Sequence, residues 1–137
     1  MPMQGGCLCG QVRYTIKADP VFVGICHCTN CQKQSGAAFS VNVGVPKDAL
    51  ELTGTLKTYV DHGDSGGEVL RRFCPDCGSP VITNANAIAG LHIVKAGTLD
   101  DPRGLQPARQ IFCASKHDWM PVFEGIPAFE KGMPPPR

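Results

Sequence analysis

Two things are scarce in this sequence: unbalanced charge and long apolar runs. Charged residues make up 18% of the chain and almost cancel, with 13 Lys and Arg against 12 Asp and Glu. No basic stripe or tail is left over, which argues against a nucleic-acid partner. The longest apolar stretch, Val21-Phe22-Val23-Gly24-Ile25-Cys26, is far short of the roughly 20 residues that span a bilayer, so no membrane partner is expected. The opening residues Met1-Pro2-Met3-Gln4-Gly5-Gly6 carry neither the cationic flank nor the apolar run of an export signal. The expected location is therefore cytoplasmic. Long helices are also excluded, because 16 Gly and 12 Pro punctuate the chain.

What remains is a short-period apolar pattern. Val12, Tyr14 and Ile16 alternate with Arg13, Thr15 and Lys17, as in a strand with one buried face, and Phe39, Val41, Val43 and Val45 repeat that period. Further strands are predicted at 56–60, 69–73, 80–83, 91–96 and 110–114, separated by turn signals such as His62-Gly63-Asp64, Ser65-Gly66-Gly67 and Asp101-Pro102. Helical turns are expected at Thr29–Ser35, stopped by Gly36, and at 47–50 after Pro46. The reading is a mostly β fold in one domain over 1–130. The segment 131–137, with Pro134, Pro135 and Pro136, is expected to be an extended tail.

Cysteine is the exception to the scarcity of chemistry. The eight fall as Cys7-x-Cys9, Cys26-x-Cys28-x-x-Cys31, Cys74-x-x-Cys77 and a separate Cys113. In a reducing compartment such clusters read as metal ligands rather than disulfides. Residues two apart on extended backbone share a face, so Cys7 with Cys9 and Cys26 with Cys28 can each present two sulfurs to one ion. Tetrahedral zinc needs sulfurs about 3.8 Å apart, within reach of this spacing or of a tight C-x-x-C turn. Gly10 and Gly78, each following a cysteine, mark the turns of two knuckles. Neither pair completes a structural site alone, so Cys7 and Cys9 are joined to Cys74 and Cys77 as one closed zinc centre. Iron in the same cage is chemically allowed.

Cys26, Cys28 and Cys31 leave an ion one ligand short, the arrangement by which a catalytic site keeps a place for water or substrate. The alternative is closure by Cys113, His27, His62, His92 or His117. His27 lies between two same-face cysteines and would point away from their ion, free to hydrogen-bond a thiolate from behind. Cys113, between apolar neighbours, reads as a small buried residue. Arg71, Arg72, Lys116 and His117 are candidates for holding an anion or are solvated surface. Trp119 either covers a substrate pocket or belongs to the core. With two zinc ions on seven thiolates, the formal charge of +1 becomes about −2.

Several motifs in order resemble the glutathione-dependent formaldehyde-activating enzyme family. They are Gly6-Cys7-Leu8-Cys9-Gly10, the run from Cys26 through Gly36, Phe73-Cys74-Pro75-Asp76-Cys77-Gly78-Ser79, Gly97-Thr98-Leu99-Asp100-Asp101 and the segment from Ser115 to Trp119. The resemblance spans residues 5 to about 130. It implies a β-tent of stacked antiparallel sheets, a structural zinc on Cys7, Cys9, Cys74 and Cys77, and a catalytic zinc on Cys26, Cys28 and Cys31. It further implies carbon–sulfur lyase chemistry between a thiol such as glutathione and an aldehyde, formaldehyde above all. Gln110 departs from the family, which often carries a histidine there, and this bears on substrate preference. The family also extends to a centromere-associated protein, which keeps a non-catalytic, zinc-binding or thiol-sensing module as the alternative.

Overall fold

A computed structural model describes residues 2–121 and 123–133; the Pro-rich tail predicted from 131 lies largely outside them. In chain order the strands are β1 (Met3–Gly6), β2 (Arg13–Ile16) and β3 (Phe22–Cys26), followed by helix α1 (Thr29–Ser35). Then come β4 (Ser40–Pro46), β5 (Leu50–Thr53), β6 (Lys57–His62), β7 (Glu68–Phe73), β8 (Pro80–Ala85), β9 (Leu91–Lys95) and β10 (Arg109–Ile111). They form a three-stranded sheet ordered β1-β2-β5 and a seven-stranded sheet ordered β10-β3-β4-β9-β8-β7-β6. Pairing is antiparallel except that β10 runs parallel to β3.

Most predicted strands form, with four corrections. The strand expected over 110–114 stops at Ile111, because Phe112 takes a left-handed conformation (φ 55°) and Cys113–Ser115 form a single tight helical turn. Leu50 was expected to end a helical turn but starts β5; only Lys47–Ala49 coil after Pro46. Strand β1 is not predicted, since Met-Gln-Gly-Gly shows no apolar alternation and is held in place by pairing with β2, and neither is β3, where Phe22-Val23-Gly24-Ile25-Cys26 runs apolar without alternation and is held between β4 and β10.

The core lies between the sheets. Val12, Tyr14 and Ile16 pack in one cluster with Val43, Val45, Ile82 and Val94 of the large sheet. The Gly97-to-Asp101 segment joins the two layers: Leu99 bridges to Gly5, the Tyr14 hydroxyl meets Thr98 Oγ1 at 2.7 Å, and Arg13 pairs with Asp100. That motif is therefore a structural strap.

Strand register fixes what lies on the other face of the large sheet. Cys26 pairs with Ser40, Asn42 with Lys95, Ile93 with Thr83, Thr83 with Arg71 and Tyr59 with Arg71. Alternation at period two therefore puts Cys26, Ser40, Asn42, Lys95, Thr83, Arg71 and Asp61 together, opposite Val43 and Val94. In a flat sheet β3 and β6, five steps apart, would be separated by about 24 Å. Yet Asn30 of α1, just after β3, donates to both carboxylate oxygens of Asp61 on β6, at 3.0 and 3.3 Å. The sheet therefore curls, concave on this polar face, with α1 closing the hollow.

Candidate metal centres

The first sulfur group is built from two turns. Cys7 and Cys9 sit in the turn between β1 and β2, closed by the Gly10 amide donating to the Cys7 carbonyl at 3.2 Å. Cys7 with Cys9 was expected on extended backbone, but a turn does the work. Cys74 and Cys77 flank the turn between β7 and β8, where the Gly78 amide donates to the Cys74 carbonyl at 2.8 Å and Gly78 takes φ 81°. A side chain at that φ would be strained, which is why a glycine follows the knuckle.

The four sulfurs lie within 4.8 Å of one another. Cys7 to Cys9 is 3.6 Å and Cys9 to Cys74 is 3.8 Å, matching the edge of a tetrahedron with ~2.3 Å bonds. Donors surround them as expected of thiolates: Val12 N–H reaches Cys7 Sγ at 3.3 Å and Gln11 Nε2 reaches Cys74 Sγ at 3.2 Å. The Ser79 hydroxyl, with the backbone amides of Ser79 and Cys9, brings Cys77 down to about 5. The Gln11 amide pulls Cys9 down, but burial and the neighbouring sulfurs outweigh it and hold that thiol up at about 12. Four sulfurs in this arrangement can hold a metal ion.

The second group lies on the concave face. Cys26 ends β3, Cys28 is the N-cap of α1, and Cys31 lies within the helix, so one sulfur comes from each of a strand end, a cap and a helical turn. The Cys31 amide donates to Cys28 Sγ at 3.2 Å, making the sulfur itself the helix cap. The three sulfurs lie within 4.8 Å of one another, and among the described residues no further His, Cys, Asp or Glu ligand atom joins them. Hydrogen bonds from Cys26 and Cys28, then the charges of Lys95 and Arg71, favour the thiolate at Cys31, while bonding to its two neighbours and burial push Cys26 up. This group too can hold a metal ion.

The other candidates are placed elsewhere. His27 is fully buried, with Nε2 3.1 Å from Gln110 Oε1 and its ring 5.8 Å from that of Phe39. It touches no sulfur, correcting the expected bond to a thiolate. Gln110 Nε2 donates to the Phe123 carbonyl, so its oxygen accepts from His27 Nε2–H. His62 is exposed, while His92 contacts Asn84 and His117 contacts Gln32 Oε1 at 2.6 Å. Trp119 is 70% exposed and stacked on His117, so it is not core; Cys113 is only half-buried. Lys116 Nζ is tied to the His117 and Met120 carbonyls, and Arg72 reaches Asn84.

Arg71 is neither solvated nor free for substrate. It is buried, pairs with Asp61 at 2.8 Å, and places Nη1 3.7 Å from Cys31 Sγ. Sequence reasoning missed Asp61, Asn42 and Lys95; the available signal was a lysine closing the otherwise apolar run Ile93-Val94-Lys95. A groove of about 320 Å³ lined by Asn30, Lys33, Gln34, Tyr59, Asp61 and Arg71 opens between α1 and the β6–β7 hairpin.

The family described as glutathione-dependent formaldehyde-activating enzyme matches residues 2–115. Among curated relatives, one from Phaeosphaeria nodorum is 35% identical over 104 residues, covering 73% of this chain and 53% of its own length. One from Aspergillus oryzae is 32% identical over 105 residues, covering 73% and 54%. Both carry that enzyme's name provisionally, and this chain spans about half their length. A crystal structure of a Rhodobacter sphaeroides protein shares the fold, with a TM-score of 0.59 at 17% identity over 92% of this chain and 99% of its own. Because the family match runs without a break through both sulfur groups, this chain belongs to the glutathione-dependent formaldehyde-activating enzyme family.

Proposed function

We propose that this chain is a zinc-dependent carbon–sulfur lyase that interconverts a thiol and an aldehyde with their S-hydroxymethyl adduct, glutathione and formaldehyde being the favoured pair. The observation that carries this reading is the three-sulfur group of Cys26, Cys28 and Cys31, which lacks a fourth ligand atom among the described residues. Zinc held there supplies Lewis-acid stabilisation of a substrate thiolate at the open position. The four cysteines Cys7, Cys9, Cys74 and Cys77 would hold a second zinc, supplying four thiolates to a structural site.

The chain's own residues do the positioning. Arg71, locked by Asp61, holds Cys31 from one side, and the helix cap holds Cys28 from another, so the three sulfurs face one point before substrate arrives. The groove beside α1 offers the Lys33 ammonium to a thiol that carries carboxylates, with the Asn30, Gln34 and Tyr59 side chains as hydrogen-bonding partners. In the synthetic direction the sulfur lone pair forms the C–S bond, the carbonyl π pair moves to oxygen, and the proton lost by the thiol is restored on that oxygen. Lyase action is the reverse. The reducing cytoplasm, where such thiols are abundant, is the matching location.

The test is the rate of adduct formation and of adduct breakdown with zinc-loaded protein, against buffer and against Cys28→Ser. Acceleration of both by the wild type, lost in the variant, is the expected result. Glutathione binding with neither rate above buffer would replace the enzyme with a thiol-sensing module.

A further inference from the structure

The concave face holds a charge that the proposed reaction has not yet used. Lys95, at the end of β9, is 7% exposed. Its ammonium carries three N–H donors, of which one reaches Asn42 Oδ1 at 3.0 Å, and among the described residues no carboxylate pairs with it. Burial pulls Lys95 below the ordinary lysine value, and the charges acting on it are the sulfurs of Cys31, Cys26 and Cys28, which oppose that fall, and Arg71, which adds to it. On the flanking strands of the same face, Ser40 Oγ and Thr83 Oγ1 are buried without a hydrogen-bond partner. An unpaired ammonium in such a place is destabilising unless anions face it.

Three thiolates around a dipositive ion leave −1, which would repel an incoming thiolate and weaken the ion's pull on it. Arg71 is already neutralised by Asp61. Among the described residues Lys95 is the other buried cation on this face, and its charge would offset the excess.

We propose that Lys95, anchored by Asn42, is the positioning residue that lets the three-cysteine site take its substrate sulfur as a thiolate, the thiol proton leaving to solvent. It works through its field, without touching the reacting atoms, and the idea rests on the lyase reading above. The expected selectivity is for an anionic sulfur over neutral ligands of similar size.

The experiment uses the full chain loaded with cobalt, whose sulfur charge-transfer bands report the number of bound thiolates. Glutathione is titrated across pH into wild type, Lys95→Met and Lys95→Arg. Lys95→Met is expected to bind at least about tenfold more weakly and to move the pH midpoint of binding up by about one unit; the arginine variant stays near wild type. The four-sulfur cobalt spectrum shows whether each variant is folded. If Lys95→Met does not fold, Asn42→Asp decides, because it retains an acceptor for the ammonium while neutralising its charge, and is expected to weaken glutathione equally. A wild type that takes up glutathione, with unchanged affinity and midpoint in the folded neutralised variant, overturns the role of Lys95 alone. A wild type whose spectrum ignores glutathione overturns the lyase reading as well.

Discussion

Arg71 shows how much depends on single residues here. It is the link between the helix sulfur Cys31 and the carboxylate of Asp61, with its own side chain 6% exposed. Removing one partner of a buried pair leaves the other uncompensated, so Arg71→Met is expected to lower stability by about 3–5 kcal/mol, read by urea unfolding of the zinc-loaded chain. Asp61 also gives the link a pH dependence. Burial raises its carboxyl, but Arg71, the His62 amide and the Asn30 amide outweigh that and hold it below its ordinary 3.8. A group depressed on folding stabilises the folded state above its unfolded value and loses that contribution as pH falls through the folded one. The ion pair therefore contributes fully above about pH 5 and fades below about pH 4. Unfolding measured across this range should show that slope in wild type and a shallower one in Asp61→Asn.

At the scale of elements, turns carry the four-sulfur group, a strand end and helix α1 carry the three-sulfur group, and strands set the faces. The cysteine spacing revealed both knuckles, because a C-x-C or C-x-x-C run followed by glycine has few other uses. It did not reveal that Cys7-x-Cys9 is a turn, since either backbone brings two sulfurs onto one side. β1 was illegible for a different reason: its strand state comes from pairing with β2 and from contact with the Gly97-to-Asp101 strap. That contact is close. A Cβ on Gly5 would sit 2.4 Å from both the Thr98 carbonyl oxygen and the Tyr14 hydroxyl. Gly5→Ala is expected to cost about 2 kcal/mol or more, seen as a lower melting temperature, because backbone on one side prevents relief. The strand expected to run on to 114 failed at Phe112, where sequence shows an apolar residue and structure a left-handed bend.

For the whole molecule, the two sulfur groups are expected to have different consequences. The four-cysteine group ties the β1–β2 turn of the small sheet to the β7–β8 turn of the large one, whereas the three-cysteine group joins only the end of β3 to the helix that follows it. Cys77→Ser should therefore lose one metal per chain together with the cooperative unfolding transition, while Cys28→Ser loses one metal and keeps the transition. Native mass spectrometry and thermal melting read the two effects separately. Acidification should release metal from both groups, because each sulfur must be a thiolate to bind.

The amino-acid sequence by itself determined the mostly β class, the position of helix α1 and the division of the clustered cysteines into a four and a three, because alternation and cysteine spacing are local and survive without a structure. Only the tertiary structure decided what surrounds the three-cysteine group. Arg71, Asp61, Asn42 and Lys95 are scattered over four strands, and their common face follows from register and from the curl of a seven-stranded sheet. Those are properties of pairing between distant segments, and no short stretch of sequence contains them.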